Sequence, residues 1–524
     1  MSNERKLPIG IQDFEKLRTE NYIYVDKTQY LYNLAVLSVP CFLGRPRRFG
    51  KSLFLSTLKA YFQGKKELFG GLAIAELEKD WLEYPVFYID LNEESYIDVN
   101  SLYNSLDTNL KRLEAQWGKD ETDITPASRL SGLIRRACKQ TGRKVVVLVD
   151  EYDKPLVNTM DNAELNEDMR KTLKGFYGVL KSADAYLRFV LLTGVTKFSK
   201  VSIFSDLNQL QDISMDNRFS GICGITEAEL IRDFQPELHA LAEKTDKTYN
   251  ETLIEMKKRY DGYHFAKESE DIYNPFSLLN TFAKLDFGNY WYQTGTPTFL
   301  VTMLKDINFD IRKIGDNDVS ASVDFLTDYR IDSKDPVPVL YQTGYLTIKR
   351  YDPLFNTFFL GFPNEEVKYG FLRNLLPAYT PADSMLLNEF YAGDFIRDLW
   401  DGNVEGFMSR MQSMFASIPY DLSDHTERHY QLVFYLLFTL MGQFVQTEVK
   451  SSRGRADAVV KTSDTIFVFE FKMDTTGTAE DALKQIDEKE YLIPYAADGR
   501  KIVKVGAEFS SEKRRLSRWI AICK

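Results

Sequence analysis

Three features of the 524-residue sequence predict an α/β chain of more than one domain. Continuous apolar runs, Val86 to Leu91, Val145 to Val149 and Leu187 to Leu192, alternate with segments whose apolar residues recur at helical spacing. Apolar strands separated by helices imply a parallel sheet covered on both faces. Near the far end a different pattern, Ala458-Val459-Val460 followed by Ile466 to Lys472, predicts a second α/β sheet. The length also exceeds what one ordinary core accommodates.

In chain order, Tyr22-Ile23-Tyr24-Val25 alternates like a short strand, and Asp26-Lys27-Thr28 then offers a cap for a helix carrying Tyr30, Leu31 and Leu34. The apolar run Val39 to Leu43 breaks into Gly44-Arg45-Pro46-Arg47-Arg48-Phe49-Gly50-Lys51-Ser52 and then a helical pattern from Leu53 to Phe62. A phosphate-binding loop needs strand, loop and helix in this order, whereas Gly-Lys-Ser alone could equally follow an ordinary turn into a helix. Backbone N–H groups at Gly50 and the helix start attract anions, Lys51 adds a point charge, and the Ser52 hydroxyl suits Mg²⁺. The loop is irregular: Gly44 lies six residues before Gly50 instead of five, and Arg45 holds the expected glycine position. A side chain there either approaches the nucleotide or alters the loop.

The helices expected next carry Leu102, Leu106, Leu110, Leu113 and then Leu130, Leu133, Ile134, Ala137. The run Val145 to Val149 ends in Asp150-Glu151, with Asp153 two residues on. A buried strand closing in acids delivers carboxylates to the sheet edge where phosphates sit: Asp150 serves Mg²⁺, and Glu151 polarises an attacking water. Leu191-Leu192-Thr193-Gly194-Val195-Thr196-Lys197 ends the next strand in hydroxyls and a lysine, so Thr193 either senses a terminal phosphate or caps a turn.

The middle region reads as mostly helical and aromatic-rich. Thr226 with Glu229 makes a capping box, Tyr345 to Lys349 and Thr357 to Leu360 read as a hairpin around Asp352-Pro353, and Asn364 opens the next helix. Its aromatic residues, Trp291, Tyr292 and Phe299 among them, read as core rather than as stacking platforms. The polar turn Ser417 to Thr426 then precedes a long apolar helix from Tyr430 to Met441.

In the last region, strand alternation puts Val468, Glu470 and Lys472 on one face and Phe467, Phe469 and Phe471 on the other. With Asp457 from the neighbouring strand, Glu470 offers hard oxygen ligands to Mg²⁺ or Mn²⁺, and Lys472 is placed to orient or deprotonate a water that attacks a phosphodiester. A Glu-x-Lys pair alone also makes an ordinary salt bridge. The tail from Lys501 to Lys524 holds seven Lys and Arg against Glu508 and Glu512, a basic stretch that suits a phosphate backbone or a solvated face.

Composition narrows the setting. Hydrophobic residues at 44% and charged residues at 27% are those of a folded protein, and a net charge of −10 confines any nucleic-acid surface to a local patch. Four scattered cysteines without a CxxC pair, a polar start from Met1 to Lys6 and the lack of a long apolar run predict a cytoplasmic chain that does not span a membrane.

The words Tyr24-Val25-Asp26-Lys27-Thr28, Arg45-Pro46-Arg47-Arg48-Phe49-Gly50-Lys51-Ser52, Val149 to Pro155, Tyr260-Asp261-Gly262-Tyr263, Asn274-Pro275-Phe276-Ser277 and Thr343 to Thr347 carry a resemblance. The chain resembles AAA-ATPase-like proteins that are joined to a PD-(D/E)XK nuclease domain in bacterial and archaeal genomes. The resemblance implies an N-terminal P-loop NTPase sheet with helices on both faces over 1–205, a middle domain over 206–405 and a restriction-endonuclease-like α/β domain over 406–524. It implies an ATP-binding role for the N-terminal half but supplies no substrate; the residues themselves point to ATP and Mg²⁺ as cofactors and to nucleic acid, DNA or RNA, as partner, with a homo-oligomer left open. Asp457, Glu470 and Lys472 match the nuclease signature, with Ala456 where a proline often stands. Glu427 matches an acid the fold often places at a helix start, and Gln485 a position on the helix behind the site. The rival expectation is a nucleotide-gated switch that binds nucleic acid or protein without cutting.

Overall fold

In the computed structural model the described residues are 5–37, 39–197, 210–291, 300–301, 303–304, 309–327, 335–379, 387–416, 427–442, 446–449, 456–513 and 515–523. They sort into two compact units, one comprising 1–294 and 319–366, the other 295–318 and 367–524. The segment 206–405 is thus shared between the two units.

Among the described residues of the first unit, five parallel strands form one sheet: β1 (Cys41–Gly44), β2 (Val86–Asp90), β3 (Val145–Asp150), β4 (Leu187–Gly194) and β5 (Gln211–Asp212), in the order β2-β3-β4-β1-β5. Every residue of β3 is buried, which is why its sequence is one apolar run rather than an alternation. The flanking helices are written equally plainly. Val99–Trp117 starts with an Asp98/Ser101 capping box and buries Leu102, Leu106, Leu110 and Leu113. Pro126–Thr141 starts with a Thr125/Ser128 capping box and proline in its first turn, then closes on the left-handed Gly142.

Thr226 and Glu229 form the expected capping box, at the start of the helix Glu227–Asp233. A short pair joins β6 (Ile225–Thr226) to β7 (Ile272–Tyr273). Three further strands, β8 (Val319–Ser322), β9 (Thr347–Asp352) and β10 (Thr357–Gly361), make an antiparallel sheet in the order β8-β10-β9. The expected hairpin is present, with its first strand shifted two residues later, and a helix starts at Glu365 directly after Asn364. The alternation at Tyr22 to Val25 does not become a strand. Only an isolated bridge joins Tyr22 to Lys6, while Asp26 accepts from the Thr28 N–H at the start of the helix Thr28–Leu37.

The second unit holds a mixed sheet of β11 (Gln446–Val449), β12 (Ala458–Lys461), β13 (Thr465–Met473), β14 (Lys501–Ser510) and β15 (Arg515–Cys523), hydrogen-bonded in chain order. All its pairings are antiparallel except β13 with β14, a parallel pair whose crossover carries the helix Ala479–Glu488. The phenylalanine face of β13 packs as the alternation requires. Phe469 meets Phe407 of the helix Val404–Ala416 and Phe438 of the helix Glu427–Met441, and Phe471 meets Phe434. On the opposite face Ile466 and Val468 share a core with Leu483, Ile486 and Tyr491. The turn 417–426, Tyr292, Phe299 and, in the tail, Arg514 and Lys524 lie outside the described residues. Among the described residues no helix is long and apolar enough to cross a membrane.

Candidate functional site

In the first unit β1 runs out at Gly44 beside Gly194 of β4, and the chain turns through Arg45 to Gly50 into the helix Lys51–Phe62. Gly50 caps this helix in the left-handed region (φ 97°), and no side chain caps it, so the first N–H groups face whatever binds there. Lys51 is buried. Its Nζ donates to the carbonyls of Arg45 (3.1 Å) and Pro46 (3.3 Å) and lies 3.5 Å from the Glu151 carboxylate.

Asp150 closes β3 opposite Asp90 of β2. Its carboxylate accepts from the Thr193 hydroxyl (2.8 Å), the Glu151 N–H (3.1 Å) and the Tyr88 hydroxyl (3.3 Å). Burial, opposed by the Asn92 N–H and reinforced by Asp150, raises the pKa of Asp90. Glu151 follows at φ 50°, a left-handed backbone that is uncommon outside glycine and turns its side chain towards the loop. A cavity of about 630 Å³ brings together Gly50, Lys51, Ser52 and Glu151 with apolar residues such as Ile9 and Phe276.

Two expected residues behave differently. Thr193 is buried and is not among the residues lining the cavity; its hydroxyl donates to Asp150 (2.8 Å). Arg45 is 1% exposed. Its guanidinium donates to the carbonyls of Gly44, Ser214, Phe219 and Ser220 and sits 4.2 Å from the Phe265 ring centre, so it braces the loop from within rather than reaching into the cavity. A buried guanidinium needs such acceptors, and the carbonyls supply them. Asp153 is likewise a brace. It accepts from the N–H groups of Val195 and Thr196 and from the Thr196 hydroxyl, and burial, with the nearby Glu151 charge, pushes its pKa up to about 6.

The words shared with the family in the middle of the sequence close around the same loop. Gly344 (φ 90°) approaches so closely that a Cβ there would stand 2.7 Å from the Pro46 Cβ. Phe49 packs edge-on to Tyr263, and the Trp291 indole N–H donates to the Arg47 carbonyl (3.1 Å). Sequence reasoning singled out none of Tyr88, Trp291, Arg47 or Arg48 as a site residue. The two arginines were in plain view within the loop word itself.

In the second unit the antiparallel register pairs Ala458 with Phe469, so Asp457 stands opposite Glu470 on the same face. The Asp457 N–H donates to the Glu470 carboxylate (3.2 Å), and the Phe471 N–H donates to the Asp457 carboxylate (2.9 Å). Glu470 is 2% exposed. Lys472 Nζ lies 3.7 Å from Glu470 Oε1 and donates to Gln485 Oε1 (2.5 Å), while the Gln485 amide donates to the same Glu470 Oε1. Tyr491, which sequence reasoning passed over, joins through its hydroxyl, 3.2 Å from the Gln485 amide.

Asp457, Glu470, Lys472 and Gln485 therefore form one hydrogen-bonded cluster. Glu427 begins the helix Glu427–Met441, but its side chain lies outside the described set. Among the described residues no three His, Cys, Asp or Glu side chains converge for a metal. The all-oxygen pair Asp457 and Glu470 suits a hard cation whose remaining ligands are water and phosphate oxygens. The basic tail is partly neutralised, Lys504 by Asp487 and Arg518 by Glu480.

A parallel sheet with a phosphate loop at its β1 end, a helical middle region and a mixed sheet bearing an Asp/Glu-x-Lys cluster define the class: a P-loop NTPase-type unit joined to a restriction-endonuclease-type one. Residues 8–204 match a family described as predicted AAA-ATPase, and residues 425–519 match the PD-(D/E)XK nuclease superfamily. An uncharacterized protein in the vnfD 5′ region of Azotobacter chroococcum mcd 1 is 37% identical over 521 residues, covering 98% of each chain. The chain belongs to this family of AAA-ATPase-like proteins with a C-terminal PD-(D/E)XK nuclease domain.

Proposed function

We propose that the chain binds and hydrolyses ATP and that its last domain cleaves phosphodiester bonds in nucleic acid with Mg²⁺, Mn²⁺ serving as a substitute. In this reading residues 1–205 handle nucleotide, 406–524 carry cleavage, and 206–405 stand between them in sequence. The observation that carries it is the second-unit cluster: Asp457 opposite Glu470, with Lys472 and Gln485 closing on Glu470.

Asp457 and Glu470 would hold the metal, which when bound polarises the phosphate and lowers the pKa of water. Lys472, within reach of the same carboxylate, orients the attacking water and offsets charge on the phosphate; Gln485 holds the Lys472 ammonium in place. Water adds to phosphorus, one P–O ester bond breaks, and the leaving oxygen takes up a proton from solvent. In the first unit Lys51 and the helix N-terminus receive the triphosphate, Ser52 and Asp150 hold its Mg²⁺, and Glu151 orients the hydrolytic water.

The test is cleavage of labelled single- and double-stranded DNA and RNA by the full chain, with Mg²⁺ or EDTA and with or without ATP. Metal-dependent cutting of any of these supports the reading. A chain that binds nucleic acid yet cuts none under any condition is the nucleotide-gated binding switch instead.

A further inference from the structure

The phosphate loop carries three guanidinium groups close together in sequence, and among the described residues only that of Arg45 is hydrogen-bonded to the protein. Arg45 is enclosed by four carbonyls, as described above. Arg47 and Arg48 line the 630 Å³ cavity beside Gly50, Lys51, Ser52 and Lys154. Among the described residues the Arg47 guanidinium has no hydrogen bond, ion pair or ring partner. That of Arg48 has one, the face of Phe276 at 4.0 Å from the ring centre. Their neighbours are satisfied: Lys154 donates to the Asn92 carbonyl (2.6 Å) and side chain (2.8 Å), and Lys51 has Glu151 and two carbonyls.

The loop backbone that carries both groups is held by the fold. Arg48 takes φ 67°, a left-handed backbone costly for a long side chain, and such geometry persists where surrounding structure over-determines it. Here the Trp291 indole holds the Arg47 carbonyl, and Phe49 is wedged edge-on between Tyr263 (4.7 Å) and Phe265 (5.5 Å). Arg47 also bears on its cationic neighbours. The pKa of Arg48 is lowered, first by burial and then by Arg47, and that of Lys154 first by burial, with Arg47 among the smaller causes. Arg47, Arg48, Lys51 and Lys154 thus face one cavity with Glu151 as the carboxylate among its lining residues. Four cations facing one carboxylate carry an excess of positive charge, and a polyanion entering the cavity relieves their mutual repulsion.

We propose that Arg47 and Arg48 are direct ligands of the bound triphosphate, supplied by the phosphate loop of the same chain, with Phe276 holding Arg48 in its binding orientation. The proposal rests on the nucleotide-binding reading of this cavity. Guanidinium groups bind phosphate oxygens through paired N–H donors, so two of them strengthen recognition of the chain of phosphates beyond what Lys51 and the backbone provide. A triphosphate offers them more charge than a diphosphate, and the pair therefore sets a preference for ATP over ADP.

The experiment is calorimetry of Mg²⁺-ATP and Mg²⁺-ADP binding to the full chain and to Arg47→Ala, Arg48→Ala, Arg47→Lys, Phe276→Ala and Lys51→Ala. Arg47→Ala and Arg48→Ala are each expected to weaken ATP binding about tenfold or more, and ADP binding less. Arg47→Lys should recover part of the loss, and Phe276→Ala should reproduce part of the Arg48→Ala effect. Both arginines are exposed, and a circular-dichroism melt at the parent temperature shows that a weakened variant is still folded. If both alanine variants bind ATP as the parent does while Lys51→Ala does not, the nucleotide reading stands and this proposal falls. A parent chain that binds neither nucleotide overturns both.

Discussion

Asp150 ends β3 and Glu151 leaves the sheet beside the phosphate loop; in β13, Glu470 and Lys472 stay within the strand and face a neighbouring strand and a helix. The first arrangement gathers its polar groups around a cavity of about 630 Å³ and leaves Arg47 without a partner among the described residues. In the second, side chains hold one another: Asp457 and Glu470 each accept a backbone N–H, and Gln485 bridges Glu470 and Lys472. A parallel sheet ends all its strands on one side, so chemistry collects in the loops there, and a large ligand is needed to satisfy them. An antiparallel pair places side chains opposite each other mid-strand, so a compact polar cluster assembles before anything binds. The first arrangement leaves polar groups for a ligand to satisfy, and the second is already assembled by its own side chains.

The largest expected effects lie at the preorganised site. Lys472→Ala should lower cleavage by roughly 10² to 10⁴-fold, and Glu470→Gln should abolish it while nucleic-acid binding persists, read on a gel with labelled substrate and Mg²⁺. Cutting at the parent rate by Glu470→Gln would show that the cluster is only a structural knot. At the site completed by its ligand, affinity and turnover should separate. Glu151→Gln should reduce ATP hydrolysis by about 10²-fold with ATP still bound. Lys51→Ala should weaken binding itself by about 10 to 100-fold. Released phosphate and calorimetry read the two separately; parent-rate hydrolysis by Glu151→Gln places the water-orienting group elsewhere.

Gln485 sharpens the contrast from the other side, since its side chain bonds Glu470, Lys472 and Tyr491. Gln485→Ala should lower kcat for cleavage about tenfold with KM for nucleic acid unchanged, as for a residue that positions another. A change in KM alone, with kcat at the parent value, contradicts a positioning role.

The same contrast explains what the sequence disclosed. β3 and most of β4 were legible because strands buried on both faces must be apolar throughout, the edge strand β2 because its run is apolar too although every second residue is only half-buried, and the helices Val99–Trp117 and Pro126–Thr141 because their caps and leucine spacing agree. The alternation of β13 correctly separated Glu470 and Lys472 from the phenylalanines. Less legible were β5, two residues long, and β8, Val-Ser-Ala-Ser, whose small residues carry little pattern. Tyr22 to Val25 alternates but finds only one bridge, because alternation signals a half-buried segment and pairing needs a partner strand. The fate of Arg45 was out of reach, since the carbonyls that enclose it come from Ser214, Phe219 and Ser220, roughly 170 residues away.

The smallest effect concerns an acid buried as deeply as Glu470 but equipped differently. Asp261, in the Tyr260-Asp261-Gly262-Tyr263 word, is 2% exposed, and its Oδ1 has no hydrogen-bond partner. Burial, opposed by the Gly262 N–H and aided by Asp271, raises its pKa from 3.8 to about 7. The folded chain thus binds this proton more tightly than the unfolded one. The stability it confers is complete below about pH 4, where both states are protonated, and is lost as pH rises through 7. Asp261→Asn carries no such titration, so its stability relative to the parent should improve between pH 5 and pH 8, by on the order of 1 to 3 kcal/mol. Melting temperatures of variant and parent at the two pH values read the difference. A gap that is the same at both would mean that Asp261 stays ionised throughout, and that the nearby Lys257, 4.0 Å from its Oδ2, offsets its burial as Gln485 and Lys472 do for Glu470.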